Sequence, residues 1–431
     1  MTVRIEPASG PLAGSVRVPG DKSIGHRAVM LAALADGTTT ITGLPNGADV
    51  ASTIGAVEAL GTRVERGEEC LTVHGVGSEF AAGRVTDVDC GNSGTTMRLL
   101  AGVVAARPGR ITFDGDASLR ARPMERVAVP LRAMGAAVQT RDGRPPLRVE
   151  GAALRALRWR AAVPSAQVKS AVLLAGWRTA GVTEVEEPIA TRDHTERLLH
   201  YLGARVTRQG ASVRIEGGVP LSARPVSLPG DVSSAAFFLV AGAIVPGSEV
   251  LVPNVGVNPT RTGVIGLLRR MGADIELQRP RDECGEPRAD LLIRGARLRG
   301  IAISAAEVPA AIDELPALAM AAACAEGETS LEGAAELRVK ESDRLTALEQ
   351  LRSLGGEVEI SADGFRIHGS GGAPLAGGRV QAHDDHRIAM AFAILGLHTR
   401  QGVEIAGSGA VAVSFPGFFA ALRTLGATVR P

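Results

Sequence analysis

Seven short stretches of the 431-residue chain hold most of the side chains that could grip anions or move protons: Pro19-Gly-Asp-Lys-Ser-Ile-Gly-His-Arg27, Gly91-Asn-Ser-Gly-Thr-Thr-Met-Arg98, Arg120-Ala-Arg-Pro-Met124, Pro164-Ser-Ala-Gln-Val-Lys169, Thr191-Arg-Asp-His-Thr-Glu196, Arg338-Val-Lys-Glu-Ser-Asp-Arg344 and His383-Asp-Asp-His-Arg387. A helix N-terminus offers unpaired N–H groups and partial positive charge, so Ser, Thr or Asn caps followed by Lys or Arg describe anion sites. If several such ends converge, they make a cationic cleft for a substrate with phosphate and carboxylate groups. Asp313, ahead of Glu314-Leu-Pro, and Glu341, between Lys340 and Arg344, are carboxylates set among cations and are the candidates for general acid and base.

The lysines sharpen this reading. The chain has 44 arginines and only three lysines, Lys22, Lys169 and Lys340. Where a generic surface cation would serve, Arg has been written, so a retained Lys marks a place that needs a compact, rotatable ammonium. Each motif also has a plainer reading. Asn-Ser-Gly-Thr and Thr191 to Glu196 are good helix caps, and the two carboxylates could belong to ion-pair networks. His383-Asp-Asp-His386 lacks a third ligand cluster, so no metal is expected. Cys90 has no histidine near it in sequence and reads as a buried thiol. Gly91 to Arg98 is neither a P-loop nor a dinucleotide-binding turn, so ATP and NAD are unsupported and no cofactor is expected.

The elements that position these groups recur six times. A helix-like segment ends in Leu-Gly or Met-Gly at Gly61, Gly135, Gly203, Gly272, Gly355 and Gly426, at intervals of 74, 68, 69, 83 and 71 residues. Such regularity points to six copies of one supersecondary unit. Glycine there is the expected left-handed C-cap, releasing the chain into a strand such as Thr62 to Glu65, Ala136 to Thr140 or Ala204 to Thr207. A second helix type lies between: Ser23 to Ala35, Ser93 to Ala106, Ser165 to Trp177, Ser233 to Val245, Glu314 to Ala325 and Asp385 to His398. These are apolar nearly all round and should be buried. Each unit reads as two helices and four short strands, and the class is α/β.

Composition removes other classes. Apolar residues at 45% and charged residues at 22% fit a globular chain of two or three domains. The longest apolar run, Ala235 to Val245, is too short to span a bilayer, and Met1 to Gly14 has no export-type apolar core. The four cysteines lack CxxC pairing and suit a reducing cytoplasm. A net charge of +1 with twelve aromatics argues against a nucleic-acid surface.

On these motifs the chain closely resembles the enolpyruvyl transferase family, in its EPSP synthase branch. GDKS, NSGTTMR, RPM, SAQVK, RDHTE, NPTR (Asn258 to Arg261), IDELP, KESDR and DDHR follow one another in family order from end to end. The resemblance implies two similar domains of three βαβαββ units each, an inside-out α/β barrel arrangement. One domain would be 20–228 and the other 1–19 plus 229–431, with the active site in the cleft between them. It implies transfer of the enolpyruvyl group of phosphoenolpyruvate (PEP) to the 5-hydroxyl of shikimate 3-phosphate, without metal or cofactor, by a cytoplasmic monomer in aromatic amino-acid biosynthesis. Carried over residue by residue, Lys22, Ser23, Arg27, Ser165, Ala166, Gln167, Arg192, Asp313 and Lys340 should hold shikimate 3-phosphate. Lys22, Asn92, Gly94, Arg122, Gln167, Arg344 and Arg387 should hold PEP, the arginines clamping its carboxylate and phosphate. Asp313 should be the base on the 5-hydroxyl, and Glu341, with Lys22, the proton donor.

Two departures stand out. Some members carry a lysine just before the C-terminal Phe-Pro, whereas Val411-Ala-Val-Ser-Phe-Pro416 has none. Arg192 replaces a Ser/Tyr-type segment, so the phosphate contact there should be guanidinium-based. GDKS, SAQVK, RDHTE and NPTR together resemble the branch associated with tolerance of glyphosate, which competes with PEP in the family. The rival acceptor is UDP-N-acetylglucosamine, whose enzyme carries a reactive Cys or Asp in the loop equivalent to Asp114 to Arg122. That loop has no Cys here, although it keeps Asp116. The other rival, a catalytically silent repeat scaffold, would not need to retain both carboxylates and three lysines.

Overall fold

The computed structural model describes all 431 residues. Its punctuation is glycine: Gly61, Gly135, Gly203, Gly272, Gly355 and Gly426 all sit at φ between +87° and +113°, where a side chain would be strained. The apolar helices run Lys22–Leu34, Gly94–Ala105, Ala166–Trp177, Val232–Ile244, Leu315–Cys324 and His386–Gly396, within two residues of the expected ends. Val232–Ile244 is buried at every position, as a sequence apolar after Ser233 and Ser234 requires. No helix is long and apolar enough to cross a membrane.

Six four-stranded sheets accompany the six helices. Each contains one parallel pair, for example Val85–Asp89 beside Gly109–Asp114 with the helix Gly94–Ala105 between them in the chain. Two sheets take their parallel strand from far away in sequence. Val226–Ser227 pairs with Ile41 and Thr42, and Ala13–Ser15 pairs with Glu249 to Leu251. The N-terminal strand Thr2–Ile5 lies antiparallel to Val403–Ala406.

The chain forms two compact units: Gly20–Leu228 with Asp282–Glu286, and Met1–Pro19 with Pro229–Arg281 and Pro287–Pro431. Each has its own apolar core. The turn Asp282–Glu286, which the sequence reading kept with 229–431, belongs with 20–228 for a local reason. Glu286 Oε1 lies 2.7 Å from Nδ1 of buried His194, within hydrogen-bonding distance, and Arg197 donates to the Gly285 carbonyl at 3.1 Å. Packing inside the 20–228 unit leaves no slack: a Cβ on Gly102 would stand 2.2 Å from the carbonyl oxygen of Ala171, so the helices Gly94–Ala105 and Ala166–Trp177 meet backbone to backbone.

Candidate active site

The residues singled out from sequence fall into two groups, one in each unit. In the 20–228 unit they cluster at the N-terminal ends of three buried helices. Ser93 and Ser165 cap two of these with a neutral hydroxyl, accepting from Thr96 N at 3.1 Å and Val168 N at 3.4 Å. The ends at Gly94 and Ala166 therefore keep their partial positive charge for a ligand. The third is capped by a carboxylate, Asp21, which accepts from Ile24 N at 2.9 Å, so Ser23 lies inside the first turn and is not the cap. Asp231 and Asp385 likewise cap two helices of the other unit, where Ser, Thr or Asn was the expected pattern.

The polar side chains around these ends lock one another in place. Lys22 Nζ pairs with Asp49 at 2.8 Å. Arg122 donates to Asn92 Oδ1 at 2.7 Å, and Asn92 donates to Asp116 at 2.8 Å. Gln167 accepts from Arg98 at 2.5 Å and donates to Thr95 at 2.9 Å, while Arg98 also reaches the Pro123 carbonyl at 3.1 Å. Arg27 is only 4% exposed and donates to Thr195 at 2.6 Å, the Ser23 carbonyl at 2.8 Å and Ser170 at 3.1 Å. Burial lowers its affinity for a proton to a pKa of about 10, with Glu196 and Asp21 pulling it up and the charge of half-buried Arg192 pushing it down. Two guanidiniums that feel each other's charge suit a ligand with two negative charges.

Beneath Lys22 lies a hydroxyl chain. His26 Nδ1 and Thr53 Oγ1 are 2.6 Å apart, Thr53 and Thr96 Oγ1 also 2.6 Å, and Thr96 donates to Ser93 at 2.7 Å. Burial, helped by the charges of Lys22 and Arg27, lowers the His26 pKa from 6.5 to about 3, against the pull of Asp49. The folded protein thus keeps this imidazole neutral while the unfolded chain protonates it near pH 6.5. Its contribution is fully present above pH 6.5 and is lost as pH falls toward 3. Between pH 7 and pH 5 the loss is about 2 kcal/mol. Urea denaturation at both pH values should show His26→Gln losing less stability than the parent. An equal loss in both proteins would place the acid sensitivity elsewhere.

The second group surrounds one cation. Arg344, 1% exposed, faces Glu341 at 2.6 Å, Asp385 at 2.7 Å and Asp313 at 3.6 Å. Burial works to strip its proton, but Asp385, Glu341 and Asp313 outweigh that and hold the proton more firmly than usual. Burial would likewise raise Asp385, yet Arg344 beside it keeps its carboxyl below the usual carboxylate range. Asp385 also accepts from Arg387 N at 2.8 Å and Ser342 at 3.1 Å. Arg387 donates to the Asp313 backbone carbonyl at 2.7 Å. Half-buried Lys340 is pushed below the usual lysine range by loss of hydration, against the pull of Asp313 and Glu336. Cation and carboxylate thus lie side by side where two proton transfers would need them.

Some expected roles change. Lys169 closes SAQVK but is 1% exposed and bonded to Glu187, Glu196 and the Thr191 carbonyl, so it is no ligand for an outside anion. Arg261 of NPTR, 2% exposed, is held by Asp231, Ser233 and Glu314. Cys90, by contrast, is the buried thiol expected from sequence, and burial pushes it far up. Conversely Asp49 was not named from sequence, and Arg98 and Asp385 were given no site role there. Asp385 lay inside a quoted motif, but nothing local shows that it meets Arg344, 41 residues away in sequence.

Residues 7–422 match the family described as EPSP synthase (3-phosphoshikimate 1-carboxyvinyltransferase). The chain belongs to the EPSP synthase family. Within that family it is 56% identical over 427 residues to the 3-phosphoshikimate 1-carboxyvinyltransferase of Halorhodospira halophila, covering 98% of this chain and 96% of that protein. It is 52% identical over 417 residues to the protein of the same name from Acidithiobacillus ferrooxidans, covering 96% of each. The structure of EPSP synthase from Acinetobacter baumannii superimposes with a TM-score of 0.88 at 44% identity over 100% of both chains. The enolpyruvyl transferase NikO from Streptomyces tendae, at 21% identity and a TM-score of 0.79 over 100% of this chain and 98% of that one, shares the fold. EPSP synthase relatives thus match the chain along its whole length, both helix-end groups included.

Proposed function

We infer that this chain transfers the enolpyruvyl group of PEP to the 5-hydroxyl of shikimate 3-phosphate, releasing phosphate, in aromatic biosynthesis. The observation that carries the chemistry is the sharing of Arg344 among Glu341, Asp385 and Asp313, with Lys340 adjacent in the chain to Glu341. A proton added to C3 of PEP makes C2 electrophilic. The substrate 5-hydroxyl adds to C2 as its own proton passes to Asp313. The resulting tetrahedral intermediate returns a proton from C3 to the protein and expels phosphate, which takes up the proton that left the 5-hydroxyl, so the protein ends in the protonation state in which it began. Glu341, aided by Lys22, gives the first proton.

Arg344 links binding to protonation in this scheme. The PEP carboxylate competes with Glu341 for the same guanidinium, and a carboxylate that loses its neighbouring cation holds a proton more readily. PEP thereby prepares its own acid. Arg387 and Arg122 hold the remaining PEP charge beside Gly94, Asn92 and Gln167. Ser23, Arg27, Ser165, Ala166, Gln167 and Arg192 hold shikimate 3-phosphate with Lys340, and the reaction needs no metal or cofactor. Release of inorganic phosphate from PEP, measured with shikimate 3-phosphate and with UDP-N-acetylglucosamine, tests the assignment. Turnover with the second acceptor alone would overturn it.

The same reading makes the protein a cytoplasmic monomer of two domains, Gly20–Leu228 with Asp282–Glu286 and the rest of the chain, each supplying residues to substrate binding. A phosphorylated substrate that needs cations from both domains favours whichever arrangement supplies them together. Saturating shikimate 3-phosphate is accordingly expected to lower the radius of gyration in small-angle scattering. An unchanged radius would count against closure.

A further inference from the structure

Lys169 is the one lysine of the three that the reaction leaves unused. Its ammonium donates to Glu187 Oε2 at 2.9 Å and to the Thr191 carbonyl at 3.2 Å, and it is ion-paired with Glu196 Oε1 at 2.8 Å. A compact ammonium meets three oxygens converging on one point better than a planar guanidinium does, which fits a lysine here in a chain that otherwise writes Arg. Those acceptors are the two ends of one segment and its anchor. Thr191 opens the segment, Glu196 closes it, and buried Glu187 also accepts from Thr191 N at 3.4 Å and from the Thr191 hydroxyl. Between the ends stand Arg192 and Thr195. Thr195 receives Arg27 at 2.6 Å and lies 2.7 Å from Ser170, the neighbour of Lys169. A single ammonium therefore fixes both ends of the loop that carries Arg192 and, through Thr195 and Ser170, the guanidinium of Arg27.

We propose that Lys169 is a positioning residue for phosphate recognition, holding Arg192 and Arg27 on one phosphate and so setting the preference for shikimate 3-phosphate over shikimate. This rests on the reading that Arg192 and Arg27 bind the 3-phosphate. Glu187 and Glu196 bring two negative charges against one ammonium, and the surplus falls on Arg27, whose proton affinity Glu196 raises. Glu196 is thus shared between Lys169 and Arg27, so disturbing Lys169 reaches Arg27 through Glu196 as well as through Thr195 and Ser170.

The test is steady-state kinetics with shikimate 3-phosphate and with shikimate for the parent, Lys169→Arg, Arg192→Gln and the double variant. Lys169→Arg keeps the charge but not the geometry. It should raise KM for shikimate 3-phosphate about 10- to 100-fold while KM for PEP and turnover on shikimate change only a few-fold. In the Arg192→Gln background the same change should cost clearly less than it does in the parent, the remainder acting through Arg27, because residues acting as one unit are not additive. Glu196→Gln, nearly isosteric, disturbs the same ammonium from the other side and should give the same pattern if Lys169→Arg fails to fold. Full additivity with Arg192→Gln, or equal losses for PEP and shikimate 3-phosphate, would make Lys169 a structural residue only and overturn the proposal alone. An Arg192→Gln variant with unchanged KM for shikimate 3-phosphate would overturn the phosphate reading, and the proposal with it.

Discussion

Asp313→Asn is expected to lower kcat by about 10²- to 10⁴-fold while KM for both substrates stays within a few-fold. The substitution keeps size and shape, so the backbone carbonyl of residue 313 still accepts from Arg387, as it does now at 2.7 Å. An amide also still hydrogen-bonds the 5-hydroxyl. What it cannot do is take the proton, so the addition step loses its base while binding survives. Arg344 loses one of its three carboxylates, but that one is the most distant, at 3.6 Å against 2.7 Å for Asp385 and 2.6 Å for Glu341. The guanidinium should therefore stay where it is. Turnover measured with saturating substrates, beside calorimetric binding of shikimate 3-phosphate, separates the two quantities. A variant within a few-fold of the parent in kcat would move the base to Glu341, the nearest other carboxylate on the same guanidinium.

What could be read in advance was what local physics imposes. Only glycine releases a helix through φ near +100° without strain, so Gly61, Gly135, Gly203, Gly272, Gly355 and Gly426 announced six helix ends, and six left-handed residues stand there. Helices apolar nearly all round, such as Val232–Ile244, had to be buried. Partners brought from a distance were not legible. Nothing in Val226–Ser227 says that it will lie beside Ile41 and Thr42, because a two-residue strand has no pattern to match and its register comes from the packed unit around it.

The same limit governed the candidate site. Lys169 looked like the end of an anion motif since Ser165 and Gln167 precede it, and only the fold brings Glu187 and Glu196 onto its ammonium. Asp385 and Asp49 were invisible for the complementary reason: a carboxylate becomes a counter-ion when tertiary structure supplies its cation, Arg344 in one case and Lys22 in the other. Burial decides these cases. Among the motif cations, Arg192 and Lys340 keep some exposure, whereas Lys169 and Arg261 are enclosed by the protein's own acceptors.

Gly94→Ala is expected to weaken inhibition by glyphosate more than it weakens use of PEP. Gly94 opens the helix Gly94–Ala105 in an ordinary helical conformation, so alanine there costs nothing in the backbone and the protein should fold as before. The added Cβ would stand 3.0 Å from Arg98 Nη1 and 3.5 Å from Arg122 Nη1, on the side where two arginines gather beside the helix end. Arg98 gives way with difficulty, since Gln167 holds it at 2.5 Å and the Pro123 carbonyl at 3.1 Å. The methyl must therefore take its space largely from whatever occupies the anion site. PEP is short and leaves room, whereas glyphosate extends further and meets the methyl first. Overpacking of this size costs about 1 to 3 kcal/mol, so the inhibition constant should rise by roughly 5- to 150-fold with KM for PEP rising much less. Measuring both constants in parent and variant decides it. Equal proportional losses for the two ligands would mean that Gly94 does not line the part of the site that tells them apart, and that the clash is absorbed by Arg98 and Gln167 instead.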